Sequence, residues 1–239
     1  MRYSGAVPEL LANRYELTTK VADGAVAAIW RGTLRAEAHF TRPVAVRVLR
    51  EPWDRDRTVA SAWAAAASEL AERASPHVEQ VLDITFAEGR AYVVSEWIEG
   101  ISLRRWVAAH AREGERVPWP LAAAIAIEVL RALSSAHAGT PPLCHEGVSG
   151  RSVRLSRGGT VKLTRFGVAP ALAVRGAGRR ELEELGVLVP APELIAGESV
   201  RPSSDLFGVG ALLFEMLAGQ PPSARRRARC ATPRSAPGS

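Results

Sequence analysis

The stretch that decides how this chain folds is "GGTVKLTRFGVAP", residues 158–170. Residues 161–163 predict a short strand, and residues 166–169 predict an apolar turn that leads out of it. Arg165 lies between the strand and the turn, at the mouth of what should be a packed interior. A charge at that point needs a physical explanation, because charged side chains are rarely buried without a partner.

Two apolar segments on either side of this stretch predict buried helices. Residues 120–138 are apolar on nearly every face, as expected for a helix inside a helical domain. Residues 204–219, "SDLFGVGALLFEMLAG", have the same character, and Gly219 with the prolines after it predicts where that helix ends. Two short strands are predicted in the polar section between the helices.

The first half of the chain predicts an α+β unit. Residues 14–49 contain three segments with the alternating or β-branched pattern of strands. Residues 57–74 are rich in Ala, Leu and Glu and predict a helix that Ser75-Pro76 ends. Two more strands follow, so we expect a five-stranded antiparallel sheet with one helix, ending near residue 99.

Composition and charge limit the function. The formal net charge is +6, but much of the excess lies in residues 223–239, which have too few large apolar side chains to fold. No upstream segment interleaves basic and aromatic residues, so we expect no specific nucleic-acid partner. No window approaches the roughly 18 consecutive apolar residues of a membrane span. Cys144 and Cys230 are far apart, and the histidines other than His145 lack a second ligand at helical spacing. We therefore expect a cytoplasmic protein without a metal site.

The order of motifs along the chain resembles that of protein kinases, of the bacterial serine/threonine type. In the small lobe, "RPVAVRVL" (42–49) resembles the strand of the phosphate-binding lysine, and "YVVSEWIEGISL" (92–103) resembles the hinge between the lobes. Further along, "LCHEGVSGRSVRL" (143–155) resembles the catalytic loop, and "VKLTRFGVA" (161–169) resembles the Asp-Phe-Gly segment. Last, "APEL" (191–194) resembles the Ala-Pro-Glu motif, and "SDLFGVGALLFEMLAGQPP" (204–222) resembles the central helix of the large lobe.

The resemblance implies a two-lobed protein-kinase-like fold. Its parts would be an N-terminal arm (1–13), a small lobe (14–99), a partial helical lobe (100–222) and a disordered tail (223–239). The large lobe is expected to be incomplete, because the family's later helices have no counterpart here. The helix at 204–219 would then lack cover on one side, so that either another protein covers it or the chain is a truncated gene product.

The resemblance places Arg165 where kinases hold the aspartate that binds magnesium. Mg²⁺ takes oxygen ligands and bridges the phosphates of ATP, whereas a guanidinium has donors only and repels a cation. Arg165 is expected either to turn to solvent or to pair with an acidic neighbour such as Glu72. A metal-free nucleotide held weakly by Arg47 and Arg165 is the alternative; otherwise we expect no cofactor.

The other positions that carry the family's chemistry are replaced as well. Arg47 corresponds to the phosphate-binding lysine, and Ala66 corresponds to its partner glutamate. In the catalytic loop, Gly147 corresponds to the aspartate that accepts the substrate proton, Ser149 to the loop lysine and Ser152 to the second metal ligand. Glu69 lies nearly one turn beyond Ala66 and could replace the glutamate only if the helix shifted.

The nucleotide pocket implied by the resemblance is only partly kept. Gly24 alone remains of the family's three loop glycines, and Ile29 and Ala45 would form the apolar roof beside a hinge from Glu96 to Ile98. Arg154 takes the place of the apolar floor, where an unpaired guanidinium would be costly to bury.

The residues that hold the two lobes of a kinase together are kept, in contrast. The apolar column corresponds to four residues: Leu70, Val81, His145 and Phe166. Its anchor corresponds to Asp205, and the glutamate of the Ala-Pro-Glu motif to Glu193. A kept scaffold without reactive groups indicates a pseudokinase that acts through another protein. Two alternatives stay open: a divergent serine/threonine kinase that still binds ATP, and a truncated product without function.

Overall fold

The computed structural model of the protein describes residues 10–36, 40–73, 75–186 and 189–220. The predicted tail, residues 223–239, and most of the predicted N-terminal arm lie outside the described residues. Within the described ranges the chain forms the two-lobed α+β fold that the sequence predicts, with an antiparallel sheet and one helix followed by a mostly helical lobe.

The small lobe is a curled antiparallel sheet with one helix packed on it. In chain order its elements are β1 (Leu10–Leu11), β2 (Tyr15–Asp23), β3 (Ala27–Arg35), β4 (Thr41–Leu49), α1 (Arg57–Glu72), β5 (Val81–Ala87) and β6 (Arg90–Glu96). The strand order is β1-β2-β3-β4-β6-β5. The sheet thus has six strands rather than five, because Leu10 and Leu11 pair with β2 and the Leu11 side chain is fully buried.

Helix α1 forms where its sequence supplies both a cap and an apolar face. The Asp56 side chain accepts hydrogen bonds from the backbone N–H groups of Thr58 and Val59, at 2.9 and 3.2 Å. These bonds satisfy donors that the first helical turn leaves without partners. Val59 and Trp63 are buried against the large lobe, so α1 joins the two lobes.

The large lobe contains three strands and six helices in the part of the chain that the structure describes. Its elements are β7 (Gly100–Ser102), α2 (Leu103–Arg112), α3 (Trp119–His137), β8 (Val153–Ser156), β9 (Val161–Leu163), α4 (Val168–Ala173), α5 (Arg179–Glu184), α6 (Pro192–Ile195) and α7 (Pro202–Ala218). The three strands form a small antiparallel sheet in the order β7-β8-β9, and this sheet carries the segment from which the sequence analysis began.

Helices α3 and α7 form the core of the large lobe. Val129 and Leu133 of α3 share one buried cluster with Leu212 and Met216 of α7. By length and composition alone α3 could cross a membrane, but here it packs within this cluster. Helix α7 is exposed at Leu206 (51%), whereas its Leu212 and Met216 side chains are fully buried.

Candidate functional site

Asp205 in the first turn of α7 anchors the segment that resembles a catalytic loop. Its carboxylate accepts hydrogen bonds from the backbone N–H groups of His145 and Glu146, both at 2.8 Å. The ring Nε2 of His137 donates to the same carboxylate at 2.8 Å. The Asp205 side chain is completely buried, so these bonds fix the start of the loop against the helix.

His145 is held in one orientation between the loop and strand β9. Its Nε2 lies 2.8 Å from the backbone oxygen of Thr164, and its Nδ1 lies 3.1 Å from the backbone nitrogen of Gly147. This arrangement requires a neutral ring that donates through Nε2 and accepts at Nδ1. Burial lowers the pKa of His145 and favours the same neutral form.

The residues that the resemblance assigns to the apolar column lie near one another in the structure. The rings of His145 and Phe166 meet edge to face with centroids 4.6 Å apart. Leu70 of α1 and Phe166 belong to one buried cluster, and Val81 at the start of β5 packs against it. The column therefore connects the helix of the small lobe to the loop that Asp205 anchors.

The loop that follows His145 uses its polar groups to hold itself together. The Ser152 hydroxyl oxygen lies 3.0 Å from both the nitrogen and the oxygen of Ser149, and 3.2 Å from the oxygen of Gly147. The Thr164 hydroxyl donates to the backbone oxygen of Ser152 at 3.0 Å. Gly147 has no side chain, so the loop presents no carboxylate at the position of the expected proton acceptor.

Arg47 has a partner that the sequence analysis missed. Its Nη2 lies 2.6 Å from each carboxylate oxygen of Glu79, which precedes β5. The Ser95 hydroxyl donates to the same carboxylate at 2.6 Å. Arg47 is 9% exposed, Glu79 5% and Ser95 0%. We name this buried group the Arg47–Glu79–Ser95 network.

The network replaces the ion pair that the resemblance implies between strand and helix. Glu69, the candidate substitute on α1, pairs with Arg73 of the same helix instead. Ala66 packs against the turn after Arg165, where a Cβ added at Gly167 would lie 2.5 Å from the Ala66 Cβ. No local pattern in the sequence indicates Glu79, because the residues before β5, "SPHVEQ" (75–80), are mostly polar.

Arg154 on β8 is paired, contrary to the unpaired guanidinium that the sequence analysis considered. Its Nη2 donates to the backbone oxygens of Ile98 and Gly100, at 3.0 and 2.9 Å. Burial lowers the pKa of Arg154, as expected for a cation partly removed from water. At the position that the resemblance assigns to the adenine floor, the chain therefore has a guanidinium bound to the backbone of residues 98 and 100.

The expected apolar roof, Ile29 and Ala45, and the turn that contains Gly24 belong to the same sheet of the small lobe. Ala45 is buried, and Ile29 lies opposite Arg47 in the pairing of β3 with β4. The turn between β2 and β3 is closed by a 3.1 Å hydrogen bond from the Gly24 nitrogen to the Ala27 oxygen, and Arg50 donates to the Gly24 oxygen at 3.1 Å. The turn is thus anchored to the sheet by an arginine.

The expectation that Arg165 turns to solvent or pairs with Glu72 is wrong. Its side chain is half-buried, Glu72 is exposed, and no ion pair joins them. Burial lowers the pKa of Arg165 to about 10, with further contributions from Arg47 and Arg151. Among the described residues we find no hydrogen-bond or ion-pair partner for this guanidinium. Its backbone has a φ of 74°, a conformation that non-glycine residues rarely adopt.

Glu193 has a partner within its own neighbourhood. The Ser204 hydroxyl, at the start of α7, donates a hydrogen bond to this carboxylate. This bond is the main cause that lowers the pKa of Glu193. The motif is therefore joined to α7 without an arginine.

Comparison with known proteins identifies relatives along nearly the whole chain. A family model described as protein tyrosine and serine/threonine kinase matches residues 15–232. The probable serine/threonine-protein kinase PknB of Lactococcus lactis is 29% identical over 220 residues, which cover 90% of this chain and 33% of that protein. Serine/threonine-protein kinase PknL of Mycobacterium tuberculosis is 29% identical over 220 residues, covering 89% of this chain and 51% of that protein.

Solved structures show the same fold. The crystal structure of the Mycobacterium tuberculosis PknI kinase domain superposes with a TM-score of 0.72 at 21% identity, covering 95% of this chain and 87% of that one. The chain spans between a third and a half of the length of the two curated relatives named above.

Proposed function

This chain belongs to the protein tyrosine and serine/threonine kinase family, and on that premise we propose that it is a pseudokinase, a kinase-fold protein that transfers no phosphate and acts by binding another protein. The observation that carries the proposal is the charge of the cleft. Arg47, Arg154 and Arg165 stand where kinases place one cation, an apolar floor and a metal-binding carboxylate.

The residues at the metal position do not fit magnesium. Mg²⁺ requires oxygen ligands in near-octahedral geometry, and phosphoryl transfer depends on the metal to neutralise charge between the β- and γ-phosphates. Arg165 supplies a positive charge instead, and the Ser152 hydroxyl is already bonded within the loop. No step of metal-assisted transfer can be assigned to these side chains.

The remaining cations of the cleft are already bound to the protein. To reach a phosphate, Arg47 would have to leave Glu79, and the buried carboxylate would then lose its ion-pair partner. Breaking such a pair is strongly unfavourable. Arg154 is held by two hinge carbonyls. Both contacts support the proposal that nucleotides bind weakly or not at all.

The partner we propose is a second protein that covers the outer side of α7. Support comes from apolar side chains that remain exposed there: Leu206 is 51% and Leu217 43% exposed. Contiguous apolar patches on a protein surface are typical of protein interaction sites. The kept column and the Asp205 anchor also suit a folded binding domain, since neither needs the missing reactive groups. A cytoplasmic location stays a prediction.

The second candidate function is a divergent serine/threonine kinase that still binds ATP. It is favoured by the names of the relatives, which include serine/threonine-protein kinases of several bacteria. On this alternative Arg47 would release Glu79 and grip the phosphates. The two candidates differ in whether the protein binds ATP and whether Mg²⁺ improves that binding.

The test is thermal unfolding of the purified chain with and without ATP, each with and without Mg²⁺. A ligand that binds only the native state stabilises it by RT ln(1 + [L]/Kd). We expect no shift of Tm at millimolar ATP in either condition. A shift that Mg²⁺ enlarges, and that disappears in Arg47→Ala, would favour the divergent kinase and contradict the pseudokinase.

A further inference from the structure

Three side chains of metal-binding type meet below the loop that Asp205 anchors. The His137 ring nitrogen, the Cys144 sulfur and a carboxylate oxygen of Asp205 all lie within 4.8 Å of one another. They come from the end of α3, the segment before His145 and the first turn of α7. No local spacing in the sequence indicates this cluster, because the packing of α3 against α7 assembles it.

The cluster is open on one side. The Asp205 side chain is completely buried, while the His137 side chain is 15% exposed and Cys144 is half-buried. A small ion could therefore approach from the side of His137 and Cys144. Water could complete the coordination there, as in zinc sites with three protein ligands.

The carboxylate of the cluster is already oriented. The backbone N–H groups of His145 and Glu146 donate to its two oxygens at 2.8 Å. Each carboxylate oxygen has two lone pairs, so these bonds leave room for a further ligand. Outer hydrogen bonds of this kind typically hold metal ligands in place.

We propose that His137, Cys144 and Asp205 form a binding site for a thiophilic divalent cation of the zinc class. The ion would take the place of the proton that His137 Nε2 now donates to Asp205 Oδ2 over 2.8 Å. That proton moves to Nδ1 of the same ring, the Cys144 thiol releases its proton to water, and no electrons are transferred. The resulting thiolate and carboxylate together balance the charge of the ion.

The donor set decides which cation suits the site. A nitrogen, a sulfur and an oxygen in a partly buried place favour Zn²⁺ or Co²⁺ over Mg²⁺ and Ca²⁺, which prefer oxygen alone.

This site is independent of the proposed pseudokinase function. It includes none of the three cleft arginines, and it requires neither a nucleotide nor a partner protein. Zinc could bind here in an active kinase or in an inactive one. A negative result for either proposal therefore leaves the other standing.

The experiment is Co²⁺ titration of the reduced full chain, followed by competition with Zn²⁺. We expect one Co²⁺ per chain, a thiolate-to-cobalt absorption band in the near ultraviolet and loss of that band when Zn²⁺ is added. Cys144→Val keeps the size of the side chain but removes the sulfur, and should weaken Co²⁺ binding by about 100-fold or more. Cys230→Ser, which changes the other cysteine, is the matched control and should bind as the unmodified chain does.

Two results would overturn the site. One is the absence of a thiolate band at Co²⁺ concentrations well above those of the protein. The other is a band that survives Cys144→Val or disappears in Cys230→Ser. If Cys144→Val does not fold, as judged by circular dichroism, Cys144→Ser replaces it with the same expected loss of the band.

Discussion

The buried Arg47–Glu79–Ser95 network gives the sharpest prediction for stability. In Glu79→Ala the guanidinium of Arg47 stays buried without a counter-charge, because Arg47 is only 9% exposed. The Ser95 hydroxyl loses its acceptor at the same time. Removing one partner of a buried ion pair typically costs about 3–5 kcal/mol, and we expect a loss of that size in the free energy of unfolding.

The assay is urea unfolding followed by tryptophan fluorescence. With a slope of about 3 kcal/mol per molar urea, the predicted loss lowers the midpoint by about 1–1.7 M. Glu184→Ala is the control, because its pair with Arg180 is on the surface, with side chains 67% and 91% exposed. Exposed pairs contribute little, so this variant should stay within about 0.5 kcal/mol of the unmodified chain.

A double variant separates the network from a general effect of substitution. Arg47→Met with Glu79→Met removes both charges and fills the space with apolar groups, which is often neutral or stabilising for buried pairs. We expect the double variant to be more stable than Glu79→Ala by about 2 kcal/mol or more. The reasoning is refuted if Glu79→Ala costs no more than Glu184→Ala, or if removing both charges is worse than removing one.

Two further predictions concern the turn after Arg165 and the loop after His145. Gly167→Ala should lower the free energy of unfolding in urea by about 2–4 kcal/mol, because the new Cβ would lie 2.5 Å from the Ala66 Cβ and the backbone φ is 77°. Gly159→Ala is the control: its φ is 81° but the space around it is open, so it should cost about 1 kcal/mol. Equal losses in the two variants would contradict the close packing of α1 against this turn. Burial and Asp205 raise the pKa of Glu146 from 4.5 to about 7, so this group favours folding below about pH 4.5 and loses that contribution as the pH rises to 7. Glu146→Gln should therefore exceed the unmodified chain in stability at pH 8 but not at pH 4.5, and an equal difference at both pH values would count against the raised pKa.

The fold could be predicted from the sequence because strong local signals agree with one another. The apolar residues of 120–138 and 204–219 predict two buried helices, and α3 and α7 form the core of the large lobe. The strand of β1 was missed, because two leucines give no alternation from which a strand can be recognised. Residue type alone also misleads at Trp119, a large apolar side chain that is 73% exposed because it lies at the first position of α3 and faces outward.

The candidate site was only partly predictable, because its contacts join distant parts of the chain. The correspondence of Gly147 and Arg165 to the family's two carboxylates is a prediction that the motifs alone supply. Glu79 could not be connected to Arg47 in the same way, since the two residues are 32 positions apart and the segment that carries Glu79 is held by β9, through the Val78–Leu163 bridge. The meeting of His137, Cys144 and Asp205 likewise depends on helix packing, which no sequence spacing encodes.

The central claim is that the cleft cannot support metal-dependent phosphate transfer. Its most direct test is incubation of the purified chain with Mg²⁺ and ATP carrying a radiolabelled γ-phosphate, in the presence of a general protein substrate. We predict no label on the substrate or on the chain itself. Label that is transferred by the unmodified chain and lost in Arg47→Ala, with circular dichroism showing that this variant is folded, would contradict the account and rule out a contaminating kinase.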